Sequence, residues 1–215
     1  VDEQQNMLTE SGLIEAEDSG IRSGVGDFME MVDVSGVLAA SFNYRLHESD
    51  VNGDLAGGNS YFGYPNSNTF QMDQFWLTMD KSPTDESRGG FHVDLAAGSM
   101  AEAQGASGDD TPFVYSGYVS YLAPVGNGIQ VDAGKLPTPL GAEVIQAGGT
   151  YFVTIGNVFG LQPVVSTGVV ASTQITDEIG FLFGVVNDVY SDTMVAQAQE
   201  KAYYGQFPYS GDMCN

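Results

Sequence analysis

Basic residues are scarce in this chain, which has six Lys and Arg against 28 Asp and Glu and a formal charge of −22. Nucleic-acid binding needs clustered Lys and Arg that neutralise phosphates, so we expect no nucleic-acid partner. Docking on an anionic lipid surface also needs basic clusters, and the composition argues against it. So many carboxylates would instead gather cations around the protein.

Long apolar runs and chemical motifs are missing as well. No stretch approaches about 18 consecutive apolar residues, so the sequence predicts no transmembrane helix. The single cysteine, Cys214, cannot form an intrachain disulfide. His47 and His92 are the only histidines, and neither a His-Glu-x-x-His nor a Gly-x-Ser-x-Gly pattern occurs. We therefore expect no catalysis, no cofactor and no bound metal.

One acidic loop superficially resembles the opening of a calcium loop. Asp50, Asn52 and Asp54 have the spacing of its first three ligands. Leu55 stands where an EF-hand has glycine, and Tyr61 stands where it has glutamate. We interpret the segment as a solvated loop, with calcium binding at these three residues as the weaker alternative.

What the sequence does contain is a hydrophobic pattern with a period of two from residue 34 onward. In the first segment Leu38 and Phe42 share one face, whereas Asn43 and Arg45 share the other. Similar segments follow at 74–79, 91–97, 114–122, 129–135, 164–173 and 179–186. The pattern predicts about seven strands, each close to the length of a tilted membrane strand.

The two faces of these predicted strands differ in chemistry. The apolar face is predicted to contact lipid, and its members are Leu38, Phe42, Phe75, Leu77, Phe91, Val93 and Val185. The opposite face is predicted to line a pore, and its candidates are Arg45, Trp76, His92, Asp94 and Asp132. Polar and apolar residues alternate in this way in outer-membrane barrels.

Connection lengths point to the same fold class. Short, turn-rich connections at 80–89, 123–128 and 174–178 alternate with longer polar ones at 47–68, 99–111 and after 187. We therefore predict an all-β, antiparallel transmembrane β-barrel or its N-terminal part. The expected divisions are an acidic N-terminal arm (1–33), barrel strands (34–187) and a polar loop or further strands (188–215). A soluble β-sandwich is the alternative, because it shows the same strand period.

Two closely spaced prolines mark a point where the chain must leave the sheet. Pro137 and Pro139 cannot both occupy a central strand, because proline donates no ladder hydrogen bond. In one interpretation the segment bends into the lumen and places Lys135 and Glu143 near the permeation path. In the other it is a rim turn whose charged residues meet solvent.

Several of these segments also resemble a known family. The residues are VSYLAPVGNG at 119–128, GKLPTPLGAE at 134–143, GFHVDL at 90–95, TGV at 167–169 and GVVN at 184–187. They resemble the β-barrel porins of the OmpL-like porin-2 type from Gram-negative outer membranes, over roughly residues 34–187. The Gly-Lys to Gly-x-Glu segment is the most specific part of this resemblance.

The resemblance implies a longer protein than this chain. Members of the family are nearly twice as long and end on an aromatic residue, whereas this sequence ends in Met213-Cys214-Asn215. About seven strands cannot close a single-chain bacterial barrel, and open edges are not tolerated in hydrocarbon. We expect an N-terminal portion, or else a barrel completed by other chains. Val170 replaces a residue that is commonly basic in the family, which puts anion selectivity in doubt.

Together these features predict an outer-membrane channel for passive diffusion of ions or small solutes, with a preference for cations. Expected partners are outer-membrane lipid, small ions or solutes, and copies of the chain or other proteins of a larger outer-membrane assembly. The alternatives are an acidic β-sandwich that acts as a surface or binding protein, and a barrel that serves as a structural scaffold.

Overall fold

The computed structural model describes residues 28, 30–43, 69–99, 113–141, 143–149, 156, 159, 163–187 and 201–211. The chain divides into two compact units, Val1–Asp33 and Val34–Asn215. Most of the predicted N-terminal arm lies outside the described residues, and the arm stays a prediction. Within the described ranges, no helix has both the length and the apolar character to cross a membrane.

The second unit is built from eight antiparallel strands in a single sheet. They are β1 (Asp33–Asn43), β2 (Thr69–Lys81), β3 (Gly89–Ala97), β4 (Phe113–Ala123), β5 (Ile129–Pro137), β6 (Val165–Gln174), β7 (Gly180–Val186) and β8 (Ala202–Gln206). Each strand pairs with its neighbour in sequence, and the sheet is not closed. The all-β antiparallel fold is confirmed, and the described strands show one sheet rather than the two of a sandwich. The eighth strand, β8, lies within 188–215, where a polar loop or further strands were expected.

Connections alternate in length along this meander. Residues 82–88, 124–128 and 175–179 connect strands at one end, whereas 44–68, 98–112, 138–164 and 187–201 connect them at the other. The β4–β5 turn is tight because Gly126 and Gly128 adopt positive φ angles of 60° and 91°, which glycine allows at little cost. Its Asn127 side chain donates to the Gln174 carbonyl (3.1 Å), which joins two neighbouring short turns.

The sheet has an apolar outer face and a polar inner face. On the outer face Leu38 and Val119 are 70% and 62% exposed, whereas Asp94 and Ser116 on the inner face are 6% and 0% exposed. The predicted lipid-facing residues Leu38, Phe42, Phe75, Leu77, Phe91, Val93 and Val185 are all exposed or half-buried. Their register supports one shared face, since Leu77 pairs with Leu95 and Val169 with Val185. Contact with lipid itself stays a prediction.

A β-bulge in β4 interrupts the alternation. Asp94 pairs with Ser116, but the next residue, Leu95, pairs with Val114, so that Tyr115 is an extra residue in β4. Tyr115 and Ser116 are adjacent in sequence and both buried. A bulge re-aims a side chain in this way, and here it adds a tyrosine to the inner face of β4.

A hydrophobic cluster covers part of the inner face. Its buried members are Trp76, Ala96, Tyr115, Ile145, Phe159 and Val165. Trp76 and Tyr115 meet edge to face, with ring centroids 4.8 Å apart. Ile145 and Phe159 are described residues of the β5–β6 segment (138–164), so these parts of the segment lie over the inner face and help to bury Trp76 and Tyr115.

Hydrogen bonds fix the β5–β6 segment at two places on the sheet. The Gln74 side chain of β2 donates to the Ile145 carbonyl (3.1 Å) and accepts from the Ala147 amide (2.9 Å). It also accepts from the Trp76 indole (2.9 Å). On β8, the Gln206 side chain donates to the Pro139 carbonyl (3.1 Å). The segment therefore bridges β2 and β8 across the inner side of the sheet.

Candidate functional site

The inner face carries a row of interacting polar side chains across β2, β3 and β4. Asp94 lies at its centre and accepts hydrogen bonds from the hydroxyls of Thr78 (2.5 Å) and Ser116 (2.8 Å). Strand register explains the arrangement, because Asp94 pairs directly with Thr78 on one side and Ser116 on the other. A buried carboxylate with these donors is held in place and retains its charge more easily than an unpaired one.

His92 connects two carboxylates in the same row. Its Nδ1 lies 2.9 Å from Asp80 and its Nε2 lies 3.0 Å from Asp94. An ionised carboxylate only accepts hydrogen bonds, so each of these two contacts needs a proton. Either the imidazole carries both protons, or it carries one and a carboxyl carries the other. In both cases the three groups together have a net charge of −1.

The polar row continues onto β5 through Asp132. Ser120 of β4 donates to its carboxylate at 2.6 Å, and Gln130 donates to the two oxygens at 2.9 and 3.1 Å. Asp132 pairs with Ser120 on one side and Val170 on the other, which places it on the same inner face as Asp94. Asp132 therefore adds a second negative centre to the row.

The β5–β6 segment contributes a further carboxylate and forms one side of an open pocket. The pocket has a volume of about 430 Å³, and its lining includes His92, Asp94, Tyr118 and Glu143. Glu143 accepts a hydrogen bond from the Gly156 amide at 3.0 Å, which fixes its position within the segment. Glu143 thus joins the charged groups of the inner face. The prediction that it lies near a permeation path remains a prediction.

The basic side chains of the described residues form hydrogen bonds with groups that do not belong to this polar row. Lys135 is 8% exposed, donates to the Val114 carbonyl at 3.1 Å and has its Nζ 5.7 Å from the Phe113 ring centroid. Lys81 donates to the Gly89 carbonyl, and Arg88 donates to the Leu122 carbonyl. Lys201, which directly precedes β8, donates to the side-chain oxygen of Asn187. The side chains of Lys81, Arg88 and Lys135 are thus each hydrogen-bonded to a backbone carbonyl.

The predicted site residues differ in their placement. The structure brings His92, Asp94 and Glu143 together around one pocket and places Asp132 further along the row. Trp76 lies on the inner face but is 1% exposed, and Lys135 is also buried. A pore-lining role for Trp76 and Lys135 stays a prediction. Arg45 and the calcium-loop candidates Asp50, Asn52 and Asp54 lie outside the described residues.

Sequence reasoning missed three important residues of the site. Asp80 shares the alternation of Thr78 and could have been found if the predicted strand had not ended at residue 79. Tyr115 depends on the bulge, for which the sequence carries no clear signal. Gln74 shares the alternation of Trp76, but its role in holding the segment depends on contacts with residues about seventy positions away.

A comparison with protein families decides the classification. The family model described as putative beta-barrel porin-2, OmpL-like, matches residues 31–214. The chain belongs to this porin family. Its predicted membership is thereby confirmed, and the match extends beyond the region in which the sequence resemblance was found. No curated protein and no solved structure matched the chain.

Membership explains the general character of the molecule. Porins of this β-barrel type are in general outer-membrane channels rather than enzymes, and the single antiparallel sheet agrees with that architecture. Among the described residues, no group of three or more His, Cys, Asp and Glu side chains is arranged to hold a metal ion. The described inner face carries the charged side chains of Asp80, His92, Asp94 and Asp132.

Proposed function

We propose that this porin is an outer-membrane channel for passive diffusion that prefers small cations to anions. The proposal is carried by one observation, which is the separation of the charges on the inner face. Carboxylates occur there at Asp80, Asp94, Asp132 and Glu143. The basic side chains described are bonded elsewhere, and Lys135 is buried against the backbone of β4.

The charge on the inner face is negative even after the histidine is counted. The Asp80–His92–Asp94 group contributes −1 whichever of its members holds the shared proton. The carboxylates of Asp132 and Glu143 add further acidic groups to this face. A cleft with low-dielectric walls focuses the field of such charges and raises the local concentration of cations. Carboxylates along a pore select cations by this mechanism.

The apolar outer face supports the membrane location that we propose for this chain. Large apolar side chains such as Leu38, Val119 and Phe183 are exposed there. Exposure of these apolar side chains to water would be unfavourable, whereas lipid would cover them in a membrane. The aromatic pairs Phe42–Phe70 and Phe181–Phe207 also lie near strand ends, and all of these residues but the half-buried Phe181 are exposed. Aromatic residues are enriched at the two interfaces of such barrels.

Reversal potential in a planar bilayer tests the proposal. In a potassium chloride gradient, we expect the complete barrel to give a reversal potential with the sign of a cation-selective channel. The preference should weaken in concentrated salt, because the screening length falls from about 10 Å at 0.1 M to about 3 Å at 1 M. A potential near zero at low salt, or one on the anion side, would contradict the proposal.

A further inference from the structure

The pocket between the sheet and the β5–β6 segment combines apolar walls with negative charge. Its volume of about 430 Å³ lies within the range of small-molecule sites. The segment contributes the apolar side chains Leu140, Val144 and Phe159 to the lining. The sheet contributes Tyr118 together with the carboxylate of Asp94. Sites for small organic molecules have this composition, with a mostly apolar lining and a few converging polar groups.

Aromatic side chains line the pocket on the side of the sheet. Tyr118 stacks on His92 with ring centroids 5.0 Å apart and an interplanar angle of 16°. Tyr115 adds a second tyrosine through the bulge in β4, and it also lines the pocket. The faces of aromatic rings attract cations through their quadrupole, and this attraction strengthens when water is excluded. The negative charge and the aromatic rings of the pocket thus both favour a positively charged ligand.

The walls of the pocket are held before any ligand enters. Gln74 fixes the segment through Ile145 and Ala147. At the beginning of the segment, the Thr138 amide donates to the Val164 carbonyl at 3.0 Å, and the Leu140 amide donates to the Thr138 hydroxyl at 3.1 Å. A preformed site binds more tightly because little conformational entropy is lost on binding.

We infer that this pocket binds small organic cations, specifically an ammonium group attached to an apolar body. The inference rests on the proposed function and deepens it by naming a class of solute. Asp94 and Glu143 disfavour anions. Apolar side chains cannot replace the hydration shell of an inorganic ion, and the described residues form no metal-ligand cluster there. An ammonium group near the carboxylates, with its apolar part against Leu140 and Phe159, satisfies both parts of the lining.

Trp76 provides a local signal for binding. It is the only tryptophan in the chain, and its ring contacts Tyr115, which lines the pocket. The detergent-solubilised protein is titrated with 2-phenylethylammonium, with the neutral 2-phenylethanol and with the anion phenylacetate. We expect a saturable change in Trp76 emission with the ammonium compound and about tenfold weaker binding of the neutral analogue. Equal affinities for all three, or a preference for the anion, would overturn the inference.

Two isosteric variants separate a local charge from the general charge of the inner face. Glu143→Gln keeps an oxygen for the Gly156 amide but removes a charge from the pocket, so it should weaken binding of the ammonium compound about tenfold. Asp132→Asn removes the same charge from a residue outside the pocket lining and should leave binding unchanged. Equal loss in the two variants would also overturn the inference.

Ring and conduction controls complete the test. Tyr118→Phe keeps the ring and should bind like the native protein, whereas Tyr118→Leu should bind more weakly; the reverse order would remove the aromatic part of the argument. Reversal potential is measured on the same preparations. A cation-selective channel without binding would refute the pocket alone, whereas binding with an anion-selective channel would refute the proposed function alone.

Discussion

The inner face of β2–β5 and the inner face of β6–β8 have different chemistry. The first half carries Asp80, His92, Asp94 and Asp132, which are linked to hydroxyl and amide groups. The second half carries small or uncharged inner residues among those described, namely Ser166, Gly168, Val170, Leu182, Gly184, Val186 and Tyr204. The β5–β6 segment connects these halves in sequence, and its described residues are hydrogen-bonded to β2 of the charged half and to β8 of the other.

The two halves differ in charge rather than in packing, because a Cβ on Gly134 of β5 would also overlap the backbone of β4 at Gly117 and Tyr118. A Cβ on Gly168 would lie 2.2 Å from the Val185 carbonyl oxygen, and one on Gly184 would lie 2.4 Å from the Tyr204 ring. These glycines let backbone and ring approach closely in the second half as well. The first half contributes the charges that we propose select ions.

The largest expected effect comes from introducing a positive charge on the outer face of β2 rather than on its inner face. Leu77→Arg places a cation on the outer face and should destabilise the protein in lipid by ~2–4 kcal/mol. Thr78→Arg places the same cation on the inner face, beside Asp94, and should have a mild effect. Denaturant titration of both variants folded in lipid measures the difference. If the two variants were equally stable, the assignment of faces to β2 would be wrong.

A second prediction concerns the packing of the uncharged half. Gly168→Ala should destabilise the protein by about 1–3 kcal/mol, because the new methyl group overlaps the backbone of β7. Gly89→Ala is the matched control in a strand of the other half, where a Cβ would have no neighbour within 4 Å. Unfolding of the two variants under identical conditions provides the measurement. A neutral Gly168→Ala would contradict the close approach of β6 and β7.

A third prediction concerns the attachment of the β5–β6 segment to the charged half. Gln74→Ala removes both hydrogen bonds to the segment and the acceptor of the Trp76 indole. The segment should detach more easily, and we expect larger and more variable single-channel conductance. Gln130→Ala removes an inner-face glutamine that is bonded to Asp132 instead, and its conductance should stay uniform. If conductance were unaltered in Gln74→Ala, the β5–β6 segment would not limit the flow of ions through the channel.

A smaller effect is expected from the shared proton of the charged half. His92→Gln should allow both Asp80 and Asp94 to ionise, since each retains a hydroxyl donor from Ser82, Thr78 or Ser116. The permeability ratio of potassium to chloride should then rise by a factor of about two. His92→Lys restores a positive charge and should return the ratio toward the native value. A lower ratio in His92→Gln would refute the charge assignment of this group.

The sequence predicted the features that depend on neighbours in the chain. Alternation in β2 and β3 placed Thr78, His92 and Asp94 on one face, and glycines marked the β4–β5 turn at 124–128. It missed features that depend on distant contacts. The bulge at Tyr115 arises from pairing between strands, and the buried Lys135 is bonded to Val114, 21 positions away in the sequence. The short strand β8 contains Gly205 between its polar and aromatic residues, so its pattern was too weak to identify.

Reversal potential in matched variants tests most directly whether inner-face carboxylates set the selectivity. The native barrel should give a potential on the cation side of a potassium chloride gradient. Asp132→Asn should move the potential toward zero because it removes a wall charge. Lys135→Gln should keep the potential on the cation side, because this variant removes a positive charge and no carboxylate. A native potential on the anion side that moves toward zero in Lys135→Gln would show that this lysine governs the pore and would contradict the account.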